Sequence, residues 1–340
     1  MHFALPPRKT SQPPPYARAS RKTSYFRHQQ LRLVGYIVCG ILTIYLLFHY
    51  VTFSDSLVES APPGTPPVVI VTVLDEQHMS DEYITNIRAN REDYAARQGY
   101  ENFFTSVANY TRYTEPSPSS WTLIPALRHA LTKYPYSTHF FSLSPYALIM
   151  SPSLSLEEHV LAPAKLESVM RKDVPVVPPD SVIHTFSHLK GNKVDLVMTQ
   201  DTENLGHGSF ILRRGEWAKF FLDTWFNPLY RTYNFQKAEG HALEHIVQWH
   251  PTILAKMALG KDNDQPQTQN ALFQDGDLLV HFHGCRAAPE RDCEKEMKPY
   301  YEDWQREVRR LDAPLPRRTH ARNRAAFSRS WFSVLFNSIR

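Results

Sequence analysis

The stretch VVIVTVLDEQHMSDEYITNIRANREDYAARQGYENFFT (residues 68–105) decides the fold. Val68 to Val73 is a continuous, mostly β-branched run, the pattern of a strand buried on both faces. Ser80-Asp81-Glu82 then caps a helix that runs through Ile84, Ile87 and Tyr94 to Gly99, which suits the left-handed residue just past a helix end. Glu101 to Thr105 reads as the next strand. Further on, Trp121 to Tyr134 has helical spacing (Trp121, Ile124, Leu127, Leu131) and Phe140 to Leu143 is a third strand. Alternating strand and helix predicts parallel βαβ units and an α/β sheet.

Ligands of such sheets bind beyond the carboxyl ends of the strands. The third strand runs there into Ser144-Pro145-Tyr146, a polar turn without an acid, before the chain resumes as Ala147-Leu148-Ile149-Met150. Val194 to Thr199, Ser209 to Arg213 and Asp277 to His283 read as later strands. GEWAKFFLDTWF (215–226) and HALEHIVQWHPTILAKMAL (241–259) read as helices, and Lys261 to Gln269 as a polar loop. No internal repeat is found.

Working outward, the excess of cations lies at the chain ends. Arg8, Lys9, Arg18, Arg21, Lys22, Arg27 and Arg32 precede any acid, and Arg317, Arg318, Arg322, Arg324, Arg329 and Arg340 close the chain. With a net charge of only +4 overall, the middle is near neutral, which argues against a nucleic-acid-binding body. Leu33 to Phe53 carries no formal charge and is long enough to cross a bilayer. The upstream cations favour a signal anchor over a cleaved leader and place the N-terminus in the cytosol. The expected order is a cytosolic basic tail (1–32), a transmembrane anchor (33–53), a Pro-rich stem (54–66), a lumenal domain (67–312) and a flexible basic tail (313–340). In an oxidising lumen, Cys285 and Cys293 are expected to pair, and Asn109-Tyr110-Thr111 is a glycosylation sequon.

No G-x-G-x-x-G follows the first strand and no phosphate-binding G-x-x-x-x-G-K-[ST] occurs, which disfavours a dehydrogenase or a P-loop ATPase. His241, Glu244 and His245 fit H-x-x-E-H, an inverted zinc-hydrolase pattern. An amphipathic helix that buries Leu243, Ile246 and Val247 explains the same residues. His281 and His283 alternate on one strand, so one can face a ligand while the other is structural. Gln200-Asp201 ends a strand at the edge favoured for function, and a turn aspartate fits equally. Glu239 opens a helix, where a carboxylate suits the dipole.

Seven ordered stretches resemble one family: NREDYAARQGYENFF (90–104), SWTLIPALRHAL with YP after it (120–135), ALIMSPSLSLEEHVL (147–161), QD with GSFILR (200–213), FFLDTWFNPLY (220–230), EGHALEHIVQWHPTIL (239–254) and HFHGC (281–285). They are similar to the fungal Golgi α-1,6-mannosyltransferase subunits of the mannan polymerase II complex, in galactosyl/mannosyltransferase family 34. The resemblance spans about Pro67 to Met297 and implies a GT-A fold, a Rossmann-like mixed sheet flanked by helices. It also implies GDP-mannose as donor, Mn²⁺ as cofactor, retention at the anomeric carbon, an N-glycan mannan acceptor and partner mannosyltransferase subunits in the Golgi membrane. By the same resemblance Ser144 and Tyr146 occupy the two metal-binding positions of a D-x-D-like turn, and His281 matches a later metal-binding histidine. Asp201, Gln200 and Glu239 are then the catalytic candidates, and Ser144, Tyr146 and Trp121 the donor-binding ones. Leu123 stands where many relatives carry a basic residue, and the segment from Leu259 to Gly276 is short for the family. Without carboxylates in the turn, a subunit that scaffolds active partners is the alternative.

Overall fold

Each of the expected early elements forms, and the Val68 run does so because both of its faces find a cover. The computed structural model describes residues 22–53, 61–177, 179, 181–200, 204–233, 235–260, 277–282, 291–313 and 337–339. The chain divides into two units, Met1–Ala61 and Pro62–Arg340. The first holds helix α1 (Lys22–Phe53), whose apolar side chains between Leu33 and Leu47 are exposed. Among the described residues no helix is long and apolar enough to cross a membrane. The described side chains of α1 stop at Leu47, short of the end of the uncharged run at Phe53.

The second unit carries strands β1 (Val68–Leu74), β2 (Glu101–Ser106), β3 (His139–Leu143), β4 (Ala147–Ile149), β5 (Met170–Arg171), β6 (Leu196–Gln200), β7 (Leu205–Arg213), β8 (Met257–Gly260), β9 (Leu279–Phe282) and β10 (Asn337–Ile339). Its helices are α2 (Asp81–Gln98), α3 (Thr111–Thr114), α4 (Leu123–Lys133), α5 (Pro163–Val169), α6 (Glu216–Trp225), α7 (Pro228–Thr232), α8 (Ala238–Trp249), α9 (Pro251–Leu254) and α10 (Cys293–Asp312). A seven-stranded sheet runs β2-β1-β3-β7-β6-β8-β5, and a three-stranded sheet runs β10-β9-β4. β1 pairs in parallel with β2 and β3, whereas β7 is antiparallel to both β3 and β6. The sheet is therefore mixed. Val69 and Val71 face the core under α4, α6 and α8, while Val68 and Ile70 face the one under α2 and α5. Each such fully buried side chain contributes roughly 1.5–3 kcal/mol.

Helix α2 keeps the start and stop read from its sequence. The Ser80 hydroxyl accepts from the Tyr83 amide at 3.1 Å, and Gly99 closes the helix at φ 71°. Helix α10 braces it at both ends: Glu294 accepts from the Ser80 amide and hydroxyl, and Asp312 from Arg97.

Two readings change. The segment 241–259 is not one helix, because Pro251 cannot donate to the preceding turn and its ring crowds the residue before it. α8 stops at Trp249, and Met257–Gly260 becomes β8, filling the slot between β6 and β5. β7 begins at Leu205, four residues before the strand read from the sequence. As expected, a strand forms near the end of the fold: β9 lies in the small sheet, antiparallel to β4. Asn337–Ile339 forms β10, parallel to β9.

His139 opens β3, and burial, then the neighbouring Arg213 charge, lower its imidazole pKa to about 4. The folded value lies below the ordinary one of about 6.5. Between those values an unfolded chain binds a proton that the folded chain refuses. Stability is therefore present above the unfolded value and is lost as pH falls toward 4. Urea midpoints at pH 7, 5.5 and 4.5 are expected to decline, and His139→Gln is expected to flatten that decline. Equal slopes for both proteins would refute the assignment.

Candidate active site

The main sheet reverses its connections beside β1: the path to β2 leaves on one side and β3 adds on the other. Crevices beyond the carboxyl ends of strands at such a point are the usual ligand sites of α/β sheets. Here that edge holds Asp75, just past β1, and the Ser144-Pro145-Tyr146 turn, just past β3. Asp75 is buried, with its carboxylate 2.9 Å from His78 Nδ1.

The turn is held from below by α2. Arg91 is fully buried and donates through Nη2 to the Ser144 carbonyl at 2.9 Å and to the Ala147 carbonyl at 2.6 Å. Its Nη1 reaches Asn90 Oδ1 at 3.2 Å. Asn90, also fully buried, pairs with both backbone groups of Ile149 in β4. Tyr83 donates to the Pro145 carbonyl at 2.7 Å, and burial raises its phenol pKa well above the ordinary range. The Tyr146 carbonyl accepts from Phe282 in β9. Every carbonyl from Ser144 to Ala147 therefore has a partner inside the protein. The amides are spent likewise: Ser144 N–H goes to the Ser209 hydroxyl, Tyr146 N–H to the Ser144 hydroxyl and Ala147 N–H to the Ser144 carbonyl.

His281 joins this group. It is buried in β9, pairs with Ala147 across the small sheet, and lies against Gly208 of β7, where a Cβ would come within 2.5 Å of its ring. The next residue back, His207, serves a second cluster. Its Nε2 is 3.7 Å from Glu239, and Gly240 has no Cβ because the His207 ring occupies that space. Glu239 is buried and accepts a hydrogen bond from Ser120, while its backbone carbonyl accepts from Trp225 Nε1 at 2.9 Å. One short piece of β7 thus touches both groups: Ser144, Tyr146 and His281 through Gly208 and Ser209, and Glu239 with Ser120 through His207.

Other candidates are placed differently. Trp121 is a core residue, 1% exposed and packed near Phe226. Gln200 is buried, and its amide is occupied by Arg171 and by the carbonyls of Pro175 and Val176. Both side chains are turned into the protein. Asp201, Cys285 and His283 lie outside the described residues. Cys293, at the start of α10, is disulfide-bonded, and Cys39 is a free thiol. Asn109 is exposed, with its amide 3.2 Å from the Thr105 hydroxyl. The H-x-x-E-H residues are engaged elsewhere: Glu244 accepts from the Leu205 amide, and His245 packs among Tyr230, Phe235 and Trp249. Among the described residues no group of three His, Cys, Asp or Glu side chains could hold a metal ion.

The turn does not fit Mn²⁺. A hard cation takes carboxylate, carbonyl and water oxygens. Ser144 and Tyr146 bring a hydroxyl and a phenol, His281 an imidazole, and the carbonyls already serve Arg91, Tyr83 and Phe282.

Asn90, Arg91, Ser120, His207 and Ser209 were missed as site residues. A signal existed for the first two: positions 83, 87, 90, 91 and 94 share one helix face, so a polar pair there faces the core and needs partners. For His207 the signal was its flanking glycines, since glycine inside a strand marks close approach.

Comparison with known proteins places this geometry. The model of the galactosyl transferase GMA12/MNN10 family matches residues 64–294. An uncharacterized alpha-1,2-galactosyltransferase of Schizosaccharomyces pombe is 29% identical over 262 residues, 73% of this chain and 78% of that one. Another from the same organism is 31% identical over 60% of this chain and 56% of that one. The probable alpha-1,6-mannosyltransferase MNN11 of Saccharomyces cerevisiae is 27% identical over 72% of this chain and 64% of that one. A glycosyltransferase involved in the glycosylation of the major capsid of PBCV-1 matches at a TM-score of 0.38 and 10% identity, covering 70% of this chain and 91% of that one, a score too low to carry an argument about fold. With well over half of its length matched by the family model, the chain belongs to the galactosyl transferase GMA12/MNN10 family, whose relatives named here are galactosyl- and mannosyltransferases.

Proposed function

We propose that the chain is an α-1,6-mannosyltransferase that moves mannose from GDP-mannose to an N-glycan mannan acceptor with retention. In this reading the body is a lumenal GT-A domain, held in the Golgi membrane by the uncharged run Leu33 to Phe53 and working within a complex of mannosyltransferase subunits. The observation that carries the reading is the convergence of Ser144, Tyr146 and His281 at the edge where the sheet reverses its connections. The donor would lie along that edge. Glu239, in the first turn of α8 and held by Ser120 and by His207 of β7, is a described carboxylate on the neighbouring side. The name of the yeast relative supports mannose as the sugar, and the names of the two fission-yeast relatives support galactose as the competing one.

A second reading, a subunit that scaffolds active partners without turning over, is favoured by one observation: the turn carries no carboxylate, and its backbone oxygens are bonded inward. Purified full-length chain with GDP-mannose or UDP-galactose and a mannose oligosaccharide separates the readings. The expected product is a mannose-extended oligosaccharide with an α-1,6 linkage by NMR. Galactose incorporation would change the donor. Background incorporation from both, together with co-purification of active mannosyltransferase subunits, would favour the scaffold.

A further inference from the structure

We infer that the Ser144–Ala147 turn receives the anionic diphosphate of a sugar nucleotide on the positive charge of Arg91, without a divalent cation. The inference rests on the nucleotide cleft proposed above. It starts from a mismatch of charge. A turn that holds a metal needs negative charge around it, and this turn has neither Asp nor Glu. Beneath it lies a guanidinium that is fully buried and forms no ion pair among the described residues. Its partners are neutral: the carbonyls of Ser144, Ala147 and Ile87 and the Asn90 amide oxygen. Its Nε has no hydrogen-bond partner among the described residues.

Two described acids around the ends of β1 and α2 have partners of their own. Asp75 bonds His78, and Glu294 bonds Ser80. A guanidinium keeps its proton in proteins at neutral pH, so the group is charged. Two carbonyls bridge that charge to the turn, and the low dielectric of the interior leaves it weakly screened. A dication brought to the same place meets a buried like charge, and the turn itself offers no carboxylate to offset it. A diphosphate meets the opposite sign. The arrangement therefore suits a ligand anion and disfavours the cation that would otherwise neutralise it.

The test is calorimetric titration of the full-length chain with GDP, in EDTA and again in Mn²⁺. The expected result is binding in EDTA, with an affinity that Mn²⁺ changes by no more than about twofold. Binding that falls by an order of magnitude or more in EDTA overturns the inference and leaves the transferase reading intact. No binding under either condition removes the nucleotide cleft itself, and with it both. Ser144→Asp supplies the second arm, because it puts a carboxylate on the turn without touching the buried contacts of Arg91. Cancelling part of the positive charge is expected to weaken metal-free GDP binding on the order of tenfold. Mn²⁺ is expected to restore it. Metal-free binding by this variant equal to that of the native chain would show that the charge beneath the turn does not act on the ligand.

Discussion

Asn90→Leu is expected to lower the stability of the Pro62–Arg340 unit by roughly 3 kcal/mol, because it leaves two buried backbone groups unpaired at about 1–3 kcal/mol each. Asn90 treats Ile149 as a neighbouring strand would. Its amide nitrogen donates to the Ile149 carbonyl at 2.9 Å and its oxygen accepts from the Ile149 amide at 3.0 Å. β4 is three residues long and pairs with β9 on one side, so these two bonds stand in for a missing partner on the other. Leucine keeps the branched shape and supplies neither bond. For a unit of this size the loss corresponds to a fall in Tm of about 6–12 °C, readable by thermal denaturation. A loss below about 1 kcal/mol would mean that water replaces the amide.

The second large effect is steric. In Gly191→Ala the new Cβ would sit 2.2 Å from the Pro163 carbonyl oxygen and within 2.9 Å of its carbon and Cα. All three are backbone atoms at the start of α5, where a proline leaves little freedom, so no side-chain rotation relieves the contact. Moving the 190s turn outward would also lengthen the bond from the Gly191 amide to Glu167 Oε1, now 3.0 Å. A cost of roughly 3 kcal/mol is expected, the upper part of the range for overpacking. Gly215→Ala is the control. Nothing lies within 4 Å of its Cβ position, and its extended backbone accepts any residue. It is expected to cost under about 1 kcal/mol, the value of a weakened helix cap. Urea denaturation of both variants checks the pair, and similar losses would sink the steric explanation.

The legible parts of this chain share a cause. A strand buried on both faces has one composition, and Val68–Leu74 has it. A helix start needs a local acceptor and a helix stop a left-handed residue, and Ser80 and Gly99 supply them. Such features depend on residues a few positions apart. The errors lie where distant segments compete. Met257–Leu259 is as apolar as a helix end, and only the gap between β6 and β5 makes it a strand. Trp121 and Gln200 stand beside motifs in the sequence, and the fold decides which way each side chain points. One went into the core, and the other onto the 175–176 backbone.

By itself the sequence determined the alternation of strands and helices, the family, and the absence of acids from the turn after β3, because each is written in residues close along the chain. Only the tertiary structure decided that Arg91, more than fifty positions before that turn, lies under it, that Gly208 makes room for His281, and that His207 faces Glu239. Charge and close approach act across space. The order of residues along a chain leaves those distances open until the sheet and its helices close.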